Sequence, residues 1–167
     1  MKHIILTSLL AIFGSTPAFA MGMSSSWIGA LVGQQKQDNL KPLSYGVTVG
    51  TKGLLFGAEA LFLTGSKKVN GIDESITQIG GRFDLFPAFR YLYIGPELSY
   101  VTSKASVTSG GLTSAVSSSG LLYGGAAGIN IPFAVVSIGG EVSYVTGKQD
   151  GNSTNVLAYV GTLKLWF

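Results

Sequence analysis

The chain has 167 residues, 46% of them hydrophobic, with 24 glycines, no cysteine and a formal net charge of +3. Absence of cysteine rules out a disulfide framework and thiol chemistry. So small a charge, with no basic run beyond Lys67-Lys68, argues against nucleic acid as a partner.

Residues 1–20 read as a cleaved secretory signal peptide. Lys2 and His3 give a positive start, an apolar stretch follows, and Ala18-Phe19-Ala20 is a small-x-small cleavage signature. The apolar stretch is shorter than the ~20 residues a spanning helix needs. The mature chain is then one domain, residues 21–167. Because the single histidine is His3, that domain contains neither histidine nor cysteine. This excludes Ser–His hydrolase machinery and His/Cys metal sites.

Beyond the leader no apolar run is long enough to be a spanning helix, and abundant glycine disfavours helix. Alternation of apolar with polar or small residues predicts eight strands, at 25–34, 43–51, 54–64, 75–85, 91–102, 119–130, 135–146 and 155–167. The first alternates least cleanly. Connections at 51–53, 86–90 and 131–134 are short. Those at 35–42, 65–74, 103–118 and 147–154 are longer and polar. The segment 103–118 is either a flexible Ser/Thr/Gly loop or a hairpin turning at Ser109-Gly110-Gly111, because Ala105, Val107, Leu112 and Val116 keep apolar content. The Gly-Gly pairs lie in strands or turns and lack the strand-to-helix context of a phosphate loop.

Three strands are near-copies. Residues 56–67 read FGAEALFLTGSK, 94–104 read IGPELSYVTSK and 138–148 read IGGEVSYVTGK. Each puts apolar residues on one face and Gly, Glu and Ser on the other, apart from Leu61 and Leu63, which break the polar face. Greasy-out and polar-in inverts a soluble barrel and predicts strands facing lipid. Phe62, Tyr100 and Tyr144 share one position in the repeat, as an interfacial belt would. Phe86, Phe89, Phe133, Trp166 and Phe167 gather at the short-turn side, as a second interfacial girdle would. The chain ends LKLWF, with Tyr159, Leu163, Leu165 and Phe167 on one face.

A signal peptide, repeated amphipathic strands, alternating loop lengths and this aromatic ending together resemble the small eight-stranded outer-membrane proteins of Gram-negative bacteria, the OmpA-like and OmpX-like barrels. The resemblance covers the whole mature chain. It implies an all-β, eight-stranded antiparallel up-and-down transmembrane β-barrel in the outer membrane, in contact with membrane lipid and lipopolysaccharide; closure by eight strands favours a monomer. It also implies that the barrel assembly machinery recognises the face of Tyr159, Leu163, Leu165 and Phe167. No cofactor or metal is implied, and with the sequence ending at Phe167 a stand-alone barrel is expected.

An eight-stranded barrel is just wide enough for side chains to fill it. The alternation points Glu59, Arg82, Asp84, Glu97, Glu141 and Lys164 inward. Glu59, Glu97 and Glu141 form a layer, with small residues such as Gly46, Gly124 or Ala126 opposite. Arg82 pairs with Glu59 or Glu97, and Lys164 with Asp84. Three glutamates then face one arginine, so at least one is protonated or water-bridged near neutral pH. Three ordinary glutamate titrations by carbon-13 NMR would contradict this. The network is either a structural plug or a gate.

The resulting expectation is a non-enzymatic outer-membrane protein with an envelope-structural or adhesion-like role, meeting an extracellular ligand or host surface through its loops. A protruding third hairpin would offer an edge for strand addition. The alternative is a small porin-like channel. A soluble secreted barrel would reverse the polarity of its faces.

Overall fold

The computed structural model describes residues 25–167, except 39, 70, 88–90 and 110–111. The expected signal peptide and Phe89 lie outside the described residues. Eight strands occur in chain order: β1 (Ser25–Lys36), β2 (Leu43–Lys52), β3 (Phe56–Val69), β4 (Ile72–Leu85), β5 (Leu92–Ser109), β6 (Leu112–Phe133), β7 (Val136–Gln149) and β8 (Asn152–Trp166). Each pairs antiparallel with its neighbours, and β1 closes on β8. Phe167, just past β8, exchanges two backbone bonds of 2.9 Å with Ser26, sealing the seam.

The alternation predicted from sequence holds on every strand, including the first: Trp27 and Leu31 are buried, Ile28 and Val32 exposed. The outer wall is apolar in its middle, with Ile28, Val47, Ile79, Ile94, Leu98, Ile138 and Leu163 each about half exposed. A loop-side belt of Tyr45, Phe62, Tyr100, Tyr123, Tyr144 and Tyr159 borders that band. Such a surface is stable in lipid and costly in water.

The strands differ from expectation at their ends. Segments 65–74 and 147–154, expected as long loops, are mostly continuations of the ladders, as is 103–118. Pairing runs to Val69↔Ile72, Ser109↔Leu112 and Gln149↔Asn152. The hairpin alternative for 103–118 is therefore the observed one. Antiparallel pairing continues past the aromatic belt because no proline interrupts it and the turns suit tight hairpins. Asp150 and Gly151 take φ of 46° and 87°, and Gly71 takes 81°. Positive φ at both central residues is the two-residue hairpin geometry that Asp-Gly and Asn-Gly favour. Leu54 and Leu55, expected in the third strand, instead belong to the turn before it.

Candidate functional site: a filled lumen beneath a projecting sheet

Lumen residues stack in layers. At the turn side Trp27 and Trp166 lie 4.9 Å apart, and the Trp166 indole N–H donates to Ser137 Oγ at 2.8 Å. Trp166 was expected at the lipid interface. It sits instead on the inward phase of β8, two residues from Lys164, and helps close the lower mouth. Phe86 is likewise buried, 6.0 Å from Tyr93 and beneath the Lys52 ammonium. Phe62, Tyr100 and Tyr144 do face outward, as do Tyr159, Leu163, Leu165 and Phe167.

Above this floor Arg82 is the hub. Its Nη2 lies 3.1 Å from Glu59 Oε1, its Nε 2.6 Å from Asp84 Oδ1 and its Nη1 2.7 Å from Glu141 Oε1. The guanidinium also stands 5.0 Å from the Tyr93 ring centre. Lys164 Nζ reaches Glu59 Oε2 at 2.7 Å and lies over Trp27 and Tyr93. The Tyr93 hydroxyl donates to Glu141 Oε2 at 2.6 Å. Lys164 thus serves Glu59, not Asp84, because its side chain crosses the lumen from β8 to β3.

Glu97 is set apart. It lies across the ladder from Arg82, yet its carboxylate is met by neutral donors: Gln78 Nε2 and Ser99 Oγ, each at 2.6 Å. Its Oε2 is buried with no hydrogen-bond partner among the described residues. Gln35 Nε2 extends the chain to Gln78 Oε1 at 3.0 Å. The three repeat glutamates therefore share a face but not a partner set. The guanidinium fork is used up by three other carboxylates.

The expected small residues are present, but the register differs. Gly50 and Arg82 oppose Glu59, Gly124 opposes Glu97 and Gly128 opposes Glu141, while Gly46 faces Leu63. The room left at Gly50 and Gly128 is taken by the Trp27 and Tyr93 rings, which a Cβ there would strike.

Two apolar groups complete the filling. Leu31, Leu61, Leu63, Ala158 and Val160 pack together from β1, β3 and β8. Nearer the outer mouth, Ile76, Val101, Leu122, Val145 and Val156 form a layer contributed by five strands, with Leu40 against it. All five are at most 1% exposed. Leu61 and Leu63 broke the polar pattern in sequence because they belong to this filling. The mouth is covered by side-chain amides. Gln37 Nε2 donates to Gln149 Oε1 at 2.7 Å and to Thr154 Oγ1 at 3.1 Å, and Ser103 Oγ donates to Gln37 Oε1 at 2.6 Å. Sequence reasoning missed this lid. Its signal was the polar Gln34-Gln35-Gln37 run just before the first outer turn.

Beyond the lid, β3 to β6 continue as a four-stranded sheet, held by ladders from Lys67↔Glu74 through Glu74↔Ala105 to Ala105↔Val116. β7 reaches β6 only as far as Leu122, with one further backbone bond from Asp150 to Ser119. Residues 114–118 of β6 therefore have no ladder partner on that side among the described residues.

No protein-family model and no curated protein matches the sequence. Solved structures do match the fold. The attachment invasion locus protein Ail of Yersinia pestis, in complex with the heparin analogue sucrose octasulfate, is 19% identical. The match covers 86% of this chain and 97% of that one, with a TM-score of 0.62. Neisserial surface protein A is 15% identical over the same shares, with a TM-score of 0.61. The N-terminal barrel domain of Pseudomonas aeruginosa OprF is 14% identical over 88% of this chain and 100% of that one, with a TM-score of 0.54. The chain has the fold of the small eight-stranded outer-membrane barrels. Its apolar outer band suits contact with lipid.

Proposed function

We propose that the protein is a non-enzymatic, non-conducting outer-membrane anchor that presents a stiff β-sheet to partners outside the cell, an adhesion-like role. The observation that carries this reading is the contrast along one axis. The lumen is filled from floor to lid, while β5 and β6 rise above it with an unpaired edge at 114–118. That edge has no charge and no proline, the devices that normally discourage strand addition. An extended segment of a partner can pair with it through backbone hydrogen bonds. The names of Ail and Neisserial surface protein A, an attachment protein and a surface protein, support the reading.

The alternative porin-like channel is opposed by the apolar layer of Ile76, Val101, Leu122, Val145 and Val156, which offers an ion nothing to replace its hydration. Single-channel recording of the refolded mature chain in a planar bilayer tests this. A folded barrel is expected to be silent, and discrete reproducible openings would replace the anchor reading with the channel. Deleting residues 105–116 is expected to abolish binding to host-cell or matrix surfaces. Unchanged binding would remove the role of the edge.

A further inference from the structure

The two mouths of the lumen differ in a way that neither anchoring nor strand addition requires. The outer mouth is covered by the side chains of Gln37, Ser103, Gln149 and Thr154. The turn-side mouth opens into a vestibule of about 410 Å³ beneath the floor of Trp27 and Phe86. Inward positions of the strands supply Lys52 from β2, Asn130 from β6, Ser137 from β7 and Trp166 from β8. Leu54 and Tyr91, from the short connections, add to its wall.

The chemistry of this lining is one-sided. Its charge is the Lys52 ammonium, which stands 3.8 Å from the centre of the Phe86 ring and is thereby held under the floor. No carboxylate side chain lines the vestibule. Every aspartate and glutamate of the chain lies elsewhere. Glu59, Asp84, Glu97 and Glu141 are enclosed above the floor, and Asp38, Asp73, Glu74 and Asp150 stand at the outer end. Asn130 and Ser137 are buried neutral groups. Ser137 Oγ accepts from the Trp166 indole at 2.8 Å and has its own hydroxyl proton to donate. Trp166, Tyr91 and Leu54 give flat and apolar surface. A cavity of this size, with apolar walls, a few neutral polar groups and one charge, has the form of a small-ligand site.

We propose that the vestibule binds a small monoanion with a flat apolar body, its carboxylate at Lys52 and its body against Trp166 and Tyr91. One lysine is a single point charge, which suits a carboxylate better than a doubly charged phosphate. The aromatic walls favour a planar body. The inference rests on the turn-side mouth and not on the edge at 114–118.

The test titrates the refolded mature chain, in phosphatidylcholine nanodiscs, with N-acetyl-phenylalanine and reads tryptophan fluorescence. The chain's two tryptophans are Trp166 in the wall and Trp27, 4.9 Å from it, so the signal reports on the vestibule. A saturable change is expected, with the neutral amide of the same compound binding about tenfold more weakly. Lys52→Gln is expected to remove that preference, and Lys52→Glu to turn it toward phenethylamine. Lys67→Gln, on the projecting sheet, is expected to leave binding unchanged. Gel mobility confirms that each variant folds. Absence of a saturable change, equal binding of acid and amide, or a preference that survives Lys52→Gln would overturn the proposal. So would tighter binding of a longer peptide ending in phenylalanine, which would assign the mouth to a chain terminus. Deleting 105–116 leaves the vestibule in place, so failure of the adhesion reading and failure of this one are distinguishable.

Discussion

The lumen and the sheet above it are built from the same hairpin ladders, yet their stability has different sources. Below the lid, side chains are locked to each other. Arg82 alone holds three carboxylates, and each ion is removed from water. Above it, the strands hold mainly through backbone bonds, with short Ser, Thr and Ala side chains and an exposed Lys68–Asp73 pair that contributes little. A buried ion is expensive to strand, whereas an exposed hairpin tip is cheap to alter. The projecting sheet is therefore free to vary while the filled lumen is not.

Substitutions should separate the two regions. Arg82→Met leaves Glu59, Asp84 and Glu141 without their shared cation and is expected to cost about 3–5 kcal/mol. Urea titration followed by heat-modifiable gel mobility measures this, and a cost below about 1 kcal/mol would mean the carboxylates do not depend on Arg82.

Glu59→Gln deprives both Arg82 and Lys164 of a carboxylate and is expected to cost about 3 kcal/mol. Glu97→Gln replaces an acceptor of neutral hydrogen bonds and is expected to cost under about 1 kcal/mol. Equal effects at the two sites would dissolve the division between them.

In the outer turns, Gly151→Ala forces a side chain into a positive φ and is expected to cost about 1 kcal/mol. The smallest effect on the barrel is expected from deleting 105–116, within about 0.5 kcal/mol. A large loss there would show that the projecting sheet supports the lumen.

Much of this architecture was legible in the residues. Alternation put Glu59, Glu97, Glu141, Arg82, Asp84 and Lys164 on the lumen side, because side-chain direction in a strand has period two and needs no tertiary information. Strand number followed from the same periodicity. The ends of the strands did not, although Asn70-Gly71 and Asp150-Gly151 are tight-turn signals that make long loops at 65–74 and 147–154 unnecessary. Trp166 was misplaced because an aromatic near a strand end looks the same in sequence whether it faces lipid or plugs a mouth. Only its parity with Lys164 distinguishes the two.

The sequence by itself determined the inside and outside of the wall, the repeat that puts Phe62, Tyr100 and Tyr144 in one belt, and the absence of cysteine from the chain and of histidine from residues 4–167. Only the tertiary structure decided which charge meets which. Three equivalent glutamates acquired three different partner sets because closure and strand stagger bring β3, β7 and β8 within reach of Arg82 and Lys164, while Glu97 is left to Gln78 and Ser99. Closure also turned Leu61, Leu63 and the Val101–Val145–Val156 group into lumen filling. Spacing along one strand fixes direction, but distance across the barrel depends on how all eight strands are staggered.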